Sequence, residues 1–373
     1  MTMARKLLLA LGSAFLLGGC EGSPLQAFMQ ETFGPGQHLQ TDAFITEIAP
    51  SLPYPPPILS FSPDGGRYAY YQWRENGRLY FGECGQGAQA LGDSTQADPW
   101  FSPDGKRLAY AQRITTGMEP PRWRLKVIDL ESQAISTLVE EFHASLPWAA
   151  WSPDGTALLY FSERGEDTST GSLFHVSLAD PTSRLIAGVI PLGMVDGSAR
   201  WSPDGKQIAY QAKIPGYLMA RNLVLHDLAD GSNRVLRRVP SQTALIWSTD
   251  GTALGHLASM GPTGQHAFHR IRITDGAEEV TSFDLGLPLP LENSSGIGGM
   301  MTYHVRDLSP DHRWCILSRG DEPLIARELA TGRHVRLTGS TAWVKGWTSD
   351  SQAILAGTTK GNISRYYRIQ VVR

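Results

Sequence analysis

A five-residue pattern, aromatic–Ser–Pro–Asp–Gly, recurs along this chain at residues 61–65, 101–105, 151–155 and 201–205. A looser copy, Trp-Ser-Thr-Asp-Gly, stands at 247–251. Two worn copies follow, Leu-Ser-Pro-Asp-His at 308–312 and Trp-Thr-Ser-Asp-Ser at 347–351. The seven copies are spaced by 40, 50, 50, 46, 61 and 39 residues. A period of this size is the mark of a solenoid, a propeller or an array, and it limits the fold more than any other feature of the chain.

Ser-Pro-Asp-Gly is turn chemistry. Ser suits the first position of a type I turn, Pro presets φ at the second, and Gly takes the left-handed conformation that closes a hairpin. Where His312 and Ser351 replace that Gly, a side chain in the left-handed region costs about 1–2 kcal/mol, so the last two turns are expected to be distorted. Apolar runs flank each copy, which makes each a β-hairpin. The strand after the turn is apolar on both faces. Tyr68/Tyr70, Leu108/Tyr110, Leu158/Tyr160, Ile208/Tyr210 and Leu254/His256 point one way, and Ala69, Ala109, Leu159, Ala209 and Gly255 the other. A half-exposed strand would alternate apolar with polar, so this pattern places a sheet on either side. Third strands follow at 122–130, 172–180, 222–230, 268–276 and 324–332, and shorter fourth strands at 134–139, 183–188, 233–239, 278–283 and 334–337.

Four antiparallel strands per repeat make a propeller blade, and seven repeats make an all-β, seven-bladed propeller. Only two strands, 353–358 and 365–372, follow the seventh turn, while a spare one, 43–49, precedes the first. The N-terminal strand is therefore expected to complete the last blade and close the ring.

The repeats resemble those of the TolB type, in which aromatic-Ser-Pro-Asp-Gly heads the hairpin of each blade. The resemblance spans residues 43–373 and implies a propeller. TolB itself pairs six blades with a preceding α/β domain, so its Tol–Pal role is not implied for a seven-repeat chain. Prolyl oligopeptidases set a similar propeller beside a hydrolase domain, for which the repeats leave no stretch of this sequence. A seven-bladed oligogalacturonate lyase also resembles this repeat class, and it needs a His-rich metal site.

Residues 1–19 read as a signal peptide. Arg5 and Lys6 precede an apolar run at 7–17 that is short for a membrane span. Leu17-Gly18-Gly19-Cys20 looks like a bacterial lipobox, with cleavage before Cys20 and lipid on its sulfur. Several acyl chains on one residue anchor stably. Glu21, rather than an Asp, follows the lipidated Cys. In a Gram-negative cell this points to the outer membrane, with the propeller facing the periplasm or the cell surface. Residues 20–42 are the lipidated Cys and a flexible tether. The net charge of −3 gives no reason to expect nucleic-acid binding. Cys84 and Cys315 fall on blades one and six, with blade seven between them, so no disulfide is expected. Cys315 reads as an inert core thiol.

Asp64, Asp104, Asp154, Asp204, Asp250 and Asp311 recur like a carboxylate ring, but each is expected to hold its own hairpin together. Function is expected on the opposite face, where strand two meets strand three and where each blade passes to the next. The links read there are 113–122, 162–171, 213–221, 258–266, 188–199 and 282–305. They carry Met118, Met194, Met219, Met260, Met300 and Met301, with Tyr217 and Tyr303 among them. Methionine surfaces adapt to partners. The bland alternative is that the same residues pack the loops over the channel; the sharpest one is a soft metal site with His143, His266, His269 and His304. His256, in the Tyr position of blade five, reads as a core residue. No nucleophile elbow, His-Glu-x-x-His or phosphate loop is present.

The expectation is a monomeric, lipid-tethered envelope propeller without catalysis or cofactor that docks a protein or peptide partner. The alternative is a small-ligand or saccharide-binding protein, or a metal-assisted lyase or hydrolase, with its site at the channel mouth.

Overall fold

The structure is a computed structural model that describes residues 43–53, 59–72, 77–84, 86–95, 97–115, 121–164, 167–191, 199–217, 220–240, 245–259, 265–284, 304–318, 324–338, 343–360 and 363–371. These residues form seven four-stranded antiparallel sheets, six of them built from four consecutive strands. Blade two is Trp100–Phe101, Arg107–Arg113, Arg122–Asp129 and Ile135–His143. Blade five is Ile246–Trp247, Ala253–Ser259, Gln265–Arg272 and Glu278–Asp284. The seventh sheet joins the chain's two ends. Trp343–Trp347, Ala353–Lys360 and Ile363–Val371 take Ala43–Pro53 as their outer strand. Its register runs from Ala43 opposite Val371 to Pro53 opposite Ile363. The expected closure is present. First strands of neighbouring blades pack against one another, so they form the hub.

Strand limits differ from the sequence reading in one consequential place. In blade three the second strand runs to Arg164 and the third begins at Asp167, so most of the link expected at 162–171 is hairpin. The apolar alternation that guides sequence reading fades there into Ser, Thr, Asp and Glu. Backbone pairing continues regardless, with Ser162 opposite Ser172 and Glu163 opposite Gly171.

The motif forms the turn its chemistry dictates. Gly65, Gly105, Gly155, Gly205 and Gly251 have φ between 66° and 70°. The two worn turns are not distorted: His312 and Ser351 both sit at φ 58°, and their N–H groups donate to Ser309 O and Thr348 O at 2.9 Å, as the glycines do in their turns. The backbone keeps its shape and the side chain bears the conformational cost.

Apolar packing lies between blades. The two faces of each second strand pack against different blades, one against the preceding blade and the other against the next. Leu158 and Tyr160 pack with Trp123, Leu125 and Phe142 of blade two, while Leu159 packs with Trp201 and Ile208 of blade four. Seven such clusters fill the seven seams, including one where Leu355 and Tyr366 of the last blade meet Leu59 and Tyr68 of the first. Leu108, Leu158, Ile208 and Leu254 are fully buried, each contributing about 1.5–3 kcal/mol.

Every seam also carries a hydrogen bond. Trp151, Trp201 and Trp247 donate their Nε1–H groups to the hub carbonyls of the preceding blade, Trp100 O (2.9 Å), Ala150 O (3.1 Å) and Arg200 O (3.3 Å). Blade six has Leu308 in the Trp position and cannot do this. There His312, the residue that displaced the turn Gly, places Nε2 3.0 Å from Ile246 O. Its ring meets Phe268 edge-on at 5.6 Å, in space that Gly255 leaves clear: a Cβ at Gly255 would stand 2.9 Å from His312 Cε1 and 2.8 Å from Phe268. The next seam repeats the device, with Asp311 N–H donating to Ser351 Oγ at 3.2 Å. Arg67 reaches Gly105 O at 3.0 Å across the first seam, and Ser349 N–H reaches Pro63 O at 3.1 Å across the last.

The two departures from the motif are therefore seam ties. Restoring the consensus with His312→Gly relieves about 1–2 kcal/mol of backbone cost. It also removes a buried ring and orphans a carbonyl, worth about 1–3 kcal/mol for the carbonyl alone. His312→Gly is expected to lower stability by about 1–2 kcal/mol net, read as a lower urea midpoint at unchanged slope. A rise in the midpoint would contradict the seam-tie account.

Candidate functional site

The turn face is chemically closed. Ser62, Ser102, Ser152, Ser202, Ser248 and Ser309 donate their hydroxyls to Asp64, Asp104, Asp154, Asp204, Asp250 and Asp311 at 2.5–2.6 Å. Each carboxylate also accepts the N–H two residues on, from Gly66 at 3.0 Å to Arg313 at 3.1 Å. The Ser hydroxyl holds the carboxyls of Asp64, Asp154 and Asp204 below their ordinary range. Asp250, held by Ser248 and then by the Thr252 N–H and hydroxyl, falls to about 2. These groups serve their own hairpins, as the sequence suggested.

The hub carries a different carboxyl. In the position before the motif aromatic stand Arg200 in blade four and Asp307 in blade six. Burial pushes Asp307 up to about 6, opposed by the Leu308 N–H, by the Arg200 guanidinium and by the Trp347 N–H.

Of the residues that the sequence reading assigned to the opposite face, Met118, Met194, Met219, Met260, Met300, Met301 and Tyr303 lie outside the described residues, as does Cys20. Tyr217 is half exposed, with the Arg238 guanidinium 4.5 Å from its ring centre. Of the four histidines read as a candidate set, His143 and His269 stand on blades two and five. His143 is exposed on the outer strand of blade two, 3.7 Å from Glu141, and the side chains of His266 and His304 lie outside the described residues.

His269 instead meets two residues that the sequence reading left aside. His256 and His269 are directly opposed across the second and third strands of blade five, their rings stacked at 4.5 Å and 4°. Glu278, on the outer strand, places Oε1 2.9 Å from His269 Nδ1. Its Oε2 lies 2.7 Å from Arg237 Nη2, which reaches across from the outer strand of blade four. One donor atom from each of His256, His269 and Glu278 lies within 4.8 Å of the others, the one such group among the described residues. His256 is 1% exposed, so its assignment to the core holds. Burial first, then His269 and Arg237, push its pKa down to about 3. Yet His256 Nδ1 and His269 Nε2 are buried without a hydrogen-bond partner. The signal available in the sequence was a blade that puts His where its neighbours put Tyr, with a second His where the facing strand must pair.

Cys84 and Cys315 are free thiols. Burial raises them to about 11 and about 12, the inert state expected of Cys315. No helix among the described residues is long and apolar enough to cross a membrane.

No family model matches the chain. A dipeptidyl-peptidase 5 of Trichophyton equinum is 32% identical over 83 residues, 22% of this chain. The match covers 11% of that relative. Among solved structures, an oligogalacturonate lyase in complex with manganese superposes with a TM-score of 0.59 at 15% identity, over 87% of this chain and 90% of that one. TolB of Acinetobacter baumannii aligns at a TM-score of 0.41 and 18% identity over 62% of this chain and 54% of that one, too loosely to extend the resemblance beyond the repeats. The shared feature is the propeller fold, which occurs in enzymes as well as elsewhere.

The turn carboxylates give the fold an acid limb. Asp250 has a folded pKa of about 2, below its ordinary 3.8. Its contribution is therefore complete above pH 4 and lost as pH falls toward 2. Ser248→Ala removes the largest cause of that depression. The variant is expected to lose less stability than the parent between pH 4 and 2 in thermal melts. Parallel acid limbs would show that Ser248 does not set the Asp250 pKa.

Proposed function

We propose that this chain is a lipid-tethered envelope propeller that binds a protein or peptide partner on the face opposite its seven motif turns, without catalysis. The observation that supports this most is the difference between the two faces. On the turn face the repeated hydroxyls and carboxylates are consumed by their own hairpins. On the other, the links at 114–121, 192–198, 214–219, 260–264 and 285–303 separate the strands, and methionines fall in all five. A rigid wheel presenting variable loops is the arrangement on which binding functions are usually carried. The lipobox supplies the anchor through Cys20, and the TolB-type repeats fit an envelope setting.

A second reading, a small-ligand or saccharide site at the channel mouth, draws on the hub pair. Arg200 and Asp307 put a fixed cation and a carboxyl with an upshifted pKa on the inner strands of blades four and six, the kind of perturbed group found at functional sites. The lyase and peptidase propellers among the similar proteins make enzymatic use of such a hub plausible.

Two measurements test the leading reading. Cys20→Ser is expected to move the protein from the membrane to the soluble fraction; retention in the membrane would refute lipid tethering. In crosslinked capture from the native envelope, changing Met118, Met194, Met219, Met260, Met300 and Met301 to Ser is expected to cut recovery of the partner by about tenfold or more, in line with the loss of central interface contacts. Unchanged recovery from a folded variant would remove the methionine face. Loss of recovery with Asp307→Asn but not with the Met variants would favour the hub.

A further inference from the structure

One position recurs in every described blade: the residue five past the motif Gly, with its partner on the third strand. In blade one Tyr70 stacks on Tyr80 at 5.1 Å and 9°, and in blade three Tyr160 stacks on Phe174 at 5.2 Å and 15°. Both are cross-strand pairs. Blade five keeps the stack and changes its chemistry, because both members are imidazoles. A structural stack needs ring faces only. Phe174 brings no polar atom to it, and the Tyr160 hydroxyl reaches the rim, 3.0 Å from Ser183 Oγ. The imidazoles bring lone pairs into the seam and leave two of them, His256 Nδ1 and His269 Nε2, buried without a partner. An unsatisfied buried polar atom costs about 1–3 kcal/mol.

The surroundings orient those lone pairs. Glu278 accepts from the Nδ1–H of His269 at 2.9 Å, which fixes the tautomer with Nε2 bare. Arg237 holds the other carboxylate oxygen at 2.7 Å. A metal ion that displaces the shared proton would take both atoms of this hydrogen bond, His269 Nδ1 and Glu278 Oε1, as ligands. Imidazole is a donor of borderline softness, and Glu278 supplies a third donor whose charge Arg237 offsets.

We propose that His256, His269 and Glu278 bind a divalent transition-metal ion of the imidazole-preferring class, such as Zn²⁺, Ni²⁺ or Cu²⁺, in the seam between blades four and five. Coordination draws the donor atoms from within 4.8 Å to the roughly 3.3 Å spacing set by metal–ligand bonds of about 2.0–2.1 Å in a tetrahedron. Water completes the shell at the outer rim, where His269 and Glu278 are 17% and 20% exposed. The ion would cross-link the second, third and outer strands of one blade and, through Arg237, the outer strand of the one before.

Blade three provides the control. His256→Tyr with His269→Phe rebuilds the Tyr160–Phe174 pair of blade three, so the double variant should fold while losing both imidazoles. The full chain, extracted in detergent and stripped with a chelator, is titrated with Zn²⁺ by calorimetry and with Co²⁺ by its visible ligand-field bands. The parent is expected to bind one equivalent with micromolar affinity and to give tetrahedral Co²⁺ bands. The double variant is expected to bind at least 100-fold more weakly with unchanged melting in the absence of metal. Glu278→Gln, a conservative change at the rim, is expected to weaken binding about 10–100-fold. Failure of the parent to bind overturns the proposal. So does parent-like binding by either variant, which would place the ion on exposed groups such as His143.

Discussion

The structure depends on packing between sheets rather than within them. Each blade is a four-stranded sheet with apolar residues on both faces, and neither face can be satisfied without a neighbour. Seven apolar clusters occupy seven seams, so each blade's stability is held jointly with the blades beside it. An open array of such sheets would leave an apolar face uncovered at each end. The pairing of Ala43–Pro53 with Ile363–Val371 removes both ends by making the first and last parts of the chain one sheet. The seam between blades seven and one, where Leu355 and Tyr366 meet Leu59 and Tyr68, is then packed like the others.

The hydrogen bonds follow the same logic. A hub carbonyl buried at a seam needs a donor, and the motif Trp provides one in blades three, four and five. Where the sequence has Leu308 instead, His312 takes over the task from the turn itself. The irregular copies are therefore adjusted rather than decayed, and Gly255 on the facing strand is part of the adjustment. A repeat that departs from its pattern at two linked positions keeps the contact and changes the means.

Much of this was legible in the sequence because it is local. The turn, the strand that follows it and the alternation of large with small residues are fixed by five or six adjacent residues. The closing strand could be inferred by counting strands. What the sequence hid is set by cross-strand register and by contacts between blades. His269 stood out as a histidine near a link, and His256 as a core residue. That they stack on each other follows from the pairing of Leu254 with Ile271 two residues away, and Arg237 comes from another blade altogether. The long second hairpin of blade three was hidden for another reason: its residues are polar on both sides, so backbone pairing continues where hydrophobic patterning stops.

Ring closure can be tested directly by native-state amide hydrogen exchange. The joined-ends account predicts that the paired amides of residues 43–53 exchange as slowly as those of 363–371, both only on global unfolding. Exchange of 43–53 at the rate of an unstructured peptide, with 363–371 still protected, would mean that the ring is not closed by its N-terminal strand and would contradict the account.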